Sequence, residues 1–163
     1  MTSTLTRNIA IAASALGGIL AGANLDRSIV QMPAWQHIGT NAWAQYSRKA
    51  DMGNGVFFYP TIAIGSAILA IAAAVSGHTS HAMPRSTHIP LDIAAALGIG
   101  GLLATARAAP HMLSLRRIDD DPAALQQAHD KFLYWGSIRS ALQVLAFVAQ
   151  LWALLRMIQG VDH

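Results

Sequence analysis

From Met52 to Pro84 the chain carries no Asp, Glu, Lys or Arg, and residues 56 to 76 are almost wholly apolar. A run of this kind reaches across a hydrocarbon core about 30 Å thick as one helix. In lipid the backbone has no water to bond with, so a helix that satisfies its own amides is the form such a run can take. Everything else in the chain is arranged around that constraint.

Three further segments fit it. Between Arg7 and Asp26 lie 18 uncharged residues, Asn8 to Leu25. A cleaved signal peptide is the competing reading, but the basic start is weak and no small-residue cleavage site stands out before Asp26 and Arg27. A retained first helix is expected. The third segment has only 14 uncharged residues between Asp92 and Arg107. Pro90 can open a helix there, with Asp92 in its first turn and Arg107 in its last, both favourable to the helix dipole, and Pro110 closing it. The fourth begins at Asp121-Pro122, a strong start signal, and only Gly136 interrupts its pattern from Ala123 to Ile158. At 1.5 Å per residue it measures about 55 Å, so its first turns stand outside the bilayer.

The expected fold class is an all-α integral membrane four-helix bundle. It is one domain, 1–163, with spans at about 7–25, 55–77, 90–109 and 132–157. Between the first two spans, Pro33, Trp35, Trp43 and Tyr46 mark an interfacial helix over about 33–50, with Trp35, Ile38, Ala42 and Tyr46 on one face. The composition agrees: 53% hydrophobic, 12% charged, mean hydropathy +0.38. No separate soluble domain fits. The chain has no cysteine, which excludes disulfides, a cysteine redox relay and thiolate metal sites. Its basic residues are scattered at span ends rather than run together, which argues against nucleic acid as a partner.

Those basic residues set orientation. Arg7, Arg85 and Arg156 lie on one side; Arg27, Arg48, Lys49, Arg107, Arg116, Arg117, Lys131 and Arg139 lie on the other. By the positive-inside rule both termini are outside and the first and third loops cytoplasmic.

Unusual polar residues gather toward that cytoplasmic side. Trp135, Arg139, Gln143 and Gln150 fall near one face of the fourth helix. An ionisable residue within a span is a functional hypothesis by default; the alternative is that Arg139 snorkels to headgroups or pairs with Asp26 or Asp51. The topology brings Asn24, Asp26, Arg27, Asp51, Asn54, Tyr59, Arg107 and His111 to the same depth, next to Trp35, His37 and Trp43. Apolar walls, aromatic plates and a few aimed polar groups suit a lipophilic small-molecule pocket. His37, His111 and His129 are candidate general bases or ordinary interfacial histidines. His129 lies about 15 Å along the helix from Arg139.

At the opposite end His78, His81 and His88 have a composition that can bind Zn or Cu, although Gly, Ser and Pro around them equally fit a solvated turn. Ser14, Gly18 and Gly22 recur every four residues, the spacing that lets helices approach closely, within the bundle or between copies in a homo-oligomer.

The glycine-rich first span running into Asn24 to Pro33, together with Trp135-Gly-Ser-Ile-Arg139, resembles the anthrone oxygenase family of small four-span membrane proteins. Ser137 stands where the family pattern often has an asparagine. The resemblance implies cofactor-free oxidation of a polycyclic anthrone by O₂. It implies Arg139, with Arg27, as the cations that hold the substrate anion, and His111 or His37 as the base. Trp35, Trp43 and Trp135 would stack on the substrate, with Asn24, Tyr59 and Gln143 completing the lining. Two other classes stay open: a non-enzymatic helical membrane module, and a binder of a quinone, haem or metal.

Overall fold

The computed structural model describes residues 3–80, 83–119 and 121–159. Among these residues every regular element is a helix.

The first helix, α1, spans Ser3–Asp26 and does not stop there. A π-turn, Arg27–Gln31, carries it into α2, Met32–Ile38, with the Met32 amide bonding back to the Arg27 carbonyl. Pro33 therefore lies inside a continuous rod rather than opening a new helix. A proline there has no amide to give and crowds the carbonyl four residues before it; the widened turn just ahead takes up that misfit. The rod ends at Gly39, with φ 93° and ψ 161°, a conformation open essentially to glycine alone. Next comes α3, Thr40–Lys49. The single helix expected over 33–50 is thus two pieces divided by Gly39. Of the expected common face, Trp35 and Tyr46 do meet, their rings 5.3 Å apart, but from separate helices; Trp35 is buried, while Ile38 and Tyr46 are exposed.

The second long helix is α4, Gly55–Thr79, and the third is α5, His88–Leu113. Because α5 begins two residues before Pro90, Asp92 sits beyond its first turn. Because α5 runs through Pro110, that residue does not close it and Arg107 is not in its last turn. The fourth, α6, runs unbroken over Pro122–Gln159, 38 residues. Asp121 caps it, accepting the Ala123 amide at 3.0 Å, and Pro122 fills the first position, where a missing N–H costs nothing.

These four long helices form a ring, α1 against α4, α4 against α5, α5 against α6, and α6 back against α1. Each is long and apolar enough to cross a membrane. Their side chains are distributed the opposite way to a water-soluble bundle. The inward faces are built of Ala10, Ala13, Ala63, Ala67, Ala70, Ala73, Ala94, Ala104, Ala146, Ala149 and Ala153, whereas Ile11, Ile19, Phe57, Ile64, Ile68, Leu103 and Val148 point outward. Small inward residues let the helices approach closely, the kind of packing that helices in lipid rely on, and large apolar side chains outside are compatible with an apolar solvent.

Bulkier side chains pack at both ends, Met83, Leu91 and Met157 at one and a larger, aromatic cluster at the other. There α3 folds against α6: Trp43 is fully buried, its ring 5.8 Å from Phe132 and edge-on to His129 at 5.0 Å. Leu115, Leu125 and Met32 join this cluster. Arg48 ties α3 down by donating to the carbonyls of Leu115 at 3.1 Å and Ile118 at 2.6 Å, in and just after the short turn that follows α5.

Candidate functional site

Beneath this capped end lies a partly open cavity of about 110 Å³. Its wall comes from all four long helices, from Arg27 and from the segment before α4. Leu20, Ala23 and Asn24 come from α1, Val56, Tyr59, Pro60 and Ala63 from α4, Thr105, Ala109, Met112 and Leu113 from α5, and Phe132, Arg139 and Gln143 from α6; Arg27, Asp51 and Gly55 complete it. Two of these residues are exposed at the surface, Tyr59 and Leu113, so the opening lies between α4 and α5. Most of the wall is apolar.

The charges inside are two arginines and one carboxylate. Arg27 and Asp51 form a buried ion pair through one guanidinium nitrogen and Asp51 Oδ1. The π-turn presents Arg27 inward, where its guanidinium carbon lies 5.6 Å from the Trp35 ring, 5.7 Å from Tyr59 and 5.6 Å from Phe132. Aromatic faces attract a cation at such distances. Asp51 Oδ2 is buried with no hydrogen-bond partner.

Arg139 is the second cation. It has no carboxylate partner among the described residues: Asp51 is taken by Arg27, and Asp26 accepts from Gln31 at 2.6 Å. Its guanidinium carbon lies 5.9 Å from the Phe132 ring, so one phenyl group stands beside both arginines. Arg139 Nε is buried and bonds to nothing. The sequence reading in which Arg139 pairs directly with Asp26 or Asp51 is therefore not the arrangement adopted, although the charge of Asp51 still acts on Arg139.

One turn deeper, Asn24 crosses from α1 to α6. Its amide donates to Gln143 Oε1 at 2.6 Å and to the Leu20 carbonyl at 2.8 Å, and its oxygen accepts from Ser140 Oγ at 3.1 Å. Gly101 on α5 makes room for Gln143: a Cβ there would stand 2.8 Å from Gln143 Cγ.

Of the residues expected at the site, Arg139, Arg27, Asn24, Tyr59 and Gln143 line the cavity. Trp35, Trp43, Trp135, His37 and His111 do not. Trp35 packs against Arg27 instead, and Trp43 is enclosed in the cap. Half-buried Trp135 packs under the guanidinium of Arg107 at 5.8 Å. His37 is exposed on α2. His111 is half-buried beside two lining residues without lining the cavity itself. His129 is buried against Trp43 and 3.3 Å from the Asp130 carboxylate.

Sequence reasoning missed Phe132. A signal for it existed: seven residues before Arg139, it lies only about 20° from it around a helix, whereas Trp135 is about 40° off on the side away from Gln143.

At the far end of the bundle, His78 Nε2 lies 2.9 and 3.0 Å from the two Asp92 oxygens, and the His88 ring is 4.5 Å from that of His78. His81 falls outside the described residues. Among those described, no group of His, Cys, Asp or Glu is arranged to hold a metal. The small-residue stripe of α1 is largely used within the chain, with Ser14 buried and Gly18 facing the Phe147 ring; only Gly22 is open. Compared with models of protein families, with curated proteins and with solved structures, the chain finds no match.

Proposed function

We propose that this is a multi-pass membrane protein with both termini outside. Its cytoplasmic-side cavity binds a lipophilic small molecule that becomes an oxygen-centred anion, and it acts as a cofactor-independent oxidoreductase on an aromatic substrate of the anthrone kind. The observation that carries this reading is Arg139: a cation beside an apolar cavity with no carboxylate paired to it among the described residues and a buried Nε without a partner. A buried donor left unmade is expensive, by about 1–3 kcal/mol and more for a charged group. An anionic ligand would remove that cost.

The chemistry needs no bound group. Loss of a benzylic proton from an anthrone-type ketone gives a phenolate, held by Arg139 as fixed donors hold an oxyanion. The electron-rich anion passes electrons to O₂; the CH₂ carbon becomes C=O with one oxygen atom, and the other leaves as water. The cavity volume sharpens the substrate. A cavity of about 150 Å³ holds one benzene ring, so about 110 Å³ admits only the oxygen-bearing edge of a flat ring system. The remaining rings would extend between Tyr59 and Leu113 into lipid.

The test is aerobic turnover of anthrone by the purified chain in lipid nanodiscs, followed by quinone absorbance and O₂ uptake. Wild-type turnover with a loss of about 10²–10³-fold in Arg139→Ala and a smaller loss in Arg139→Lys is expected. Wild-type rates in Arg139→Ala overturn the reading, as does a wild-type protein that neither binds nor turns over anthrone. The non-enzymatic helical module has less support, because most of the α1 small-residue stripe is already packed within the chain.

A further inference from the structure

We propose that Asp51 is the proton acceptor of this site, taking the ligand's acidic proton on Oδ2 while Arg139 receives the negative charge that the ligand acquires. The proposal rests on the function proposed above and gives the base a residue other than His37 or His111.

Three observations carry it. Asp51 is 2% exposed, and its two oxygens are in different situations: Oδ1 is held by Arg27, while Oδ2 is buried with no partner. Among the described residues lining the cavity, Asp51 is the only carboxylate and none is a histidine. Finally, two residues that line the cavity each carry a buried polar atom without a partner, the acceptor Asp51 Oδ2 and the donor Arg139 Nε, and these do not bond to each other. A ligand that offers an acidic hydrogen at one atom and an oxygen at another satisfies both.

Arg27 is the positioning residue. Three aromatic rings surround its guanidinium, so the carboxylate it holds is fixed with one oxygen free. In the step itself the ligand's C–H bond breaks, its electron pair passes through the ring to the ligand oxygen, and the proton forms an O–H bond with Oδ2. The negative charge moves from Asp51 to the ligand beside Arg139. The cavity's net charge stays the same, which matters where burying an unpaired charge is costly. Dioxygen is the oxidant in the later step and is not needed for this one.

That independence supplies the test. Without O₂ and in D₂O, a protein that removes and returns the benzylic proton of anthrone exchanges it for deuterium, read by mass spectrometry. Anthrone binding is read separately by tryptophan fluorescence. Exchange by the wild-type protein above the protein-free rate is expected, with a loss of about 10²-fold or more in Asp51→Asn and partial retention in Asp51→Glu. Removing one member of a buried ion pair endangers folding, whereas neutralising both is far milder; the double variant Arg27→Gln/Asp51→Asn therefore repeats the measurement and is expected to bind anthrone without exchanging it. Exchange within threefold of wild type in either neutralised variant overturns the assignment to Asp51 and leaves the anion site standing. A wild-type protein that binds anthrone but exchanges nothing does the same. A wild-type protein that does not bind anthrone removes both readings together.

Discussion

Asn24 on α1 and Gln143 on α6 are joined by a hydrogen bond of 2.6 Å, and Ser140 closes on the same asparagine at 3.1 Å. These contacts register two helices that also meet where Gly17 and Gly18 of α1 face Gln150 and Phe147 of α6. Polar contacts between spanning helices average about 0.6 kcal/mol and reach about 1.7 kcal/mol. Asn24→Leu removes two of them and leaves Gln143 Oε1 unmatched, so a loss of about 1–2 kcal/mol is expected, read as a lower unfolding midpoint in detergent. An unchanged midpoint would show that small-residue packing alone sets the register.

The glycines divide by what a methyl group would meet. At Gly22 nothing stands within 4 Å, so Gly22→Ala gains helix propensity of up to about 1 kcal/mol and is neutral or stabilising. At Gly17 the new Cβ would collide with the far end of the Gln150 amide, which can swing aside. At Gly101 it meets Gln143 near the root of its side chain, at 2.8 Å, and pushes the Asn24 bond apart. Thermal melts should rank the variants Gly22→Ala above Gly17→Ala above Gly101→Ala, and any other order counts against this packing.

Gly39 holds φ 93° and ψ 161° between α2 and α3. A side chain in that region costs about 1–3 kcal/mol. Gly39→Ala is therefore expected to loosen α3 from α6, with faster amide exchange at Trp43 and Ala44 than in α4 or α5. Uniform protection across all helices in the variant would contradict it.

Orientation is open to a direct chemical test, because the chain has no cysteine of its own. Ser86→Cys and Asp119→Cys place single thiols at exposed positions before α5 and before α6. A membrane-impermeant maleimide added to intact cells should label position 86 alone. Labelling of both, or of 119 alone, rejects the proposed topology.

Much of the bundle was readable from residue order. Charge-free runs gave α1, α4 and α5, and Asp121-Pro122 gave the start of α6, because lipid tolerates few charges and helix ends need caps. The path from Arg27 to Lys49 was not. Pro33 in isolation signals a helix start, whereas here a widened turn stands ahead of it and the rod passes through; that turn has no signature in residue type. Half of the expected site residues reached the cavity for a related reason. Asn24, Arg27, Tyr59, Arg139 and Gln143 sit where helix periodicity or the topology fixes their depth. Trp43, after Gly39, swings into the cap instead, His111 lies next to the lining residue Met112 without lining the cavity, and His37 is exposed on α2, which contributes nothing to the wall. The pairing of Asp51 with Arg27 rather than Arg139 was beyond reach of sequence, because both arginines were placed at the same depth and only the fold decides between them.

The cap formed by α3 also has a bearing on supply. With Trp43 and Phe132 closing the polar end, and Tyr59 and Leu113 the surface residues at the opening, a ligand of the proposed kind comes in sideways from among the acyl chains. Its effective concentration is then governed by oil–water partition rather than by aqueous solubility. A compound too insoluble to reach micromolar levels in the cytosol would still be abundant at this doorway, and the apparent affinity measured in vesicles would fall as more lipid is added to dilute it.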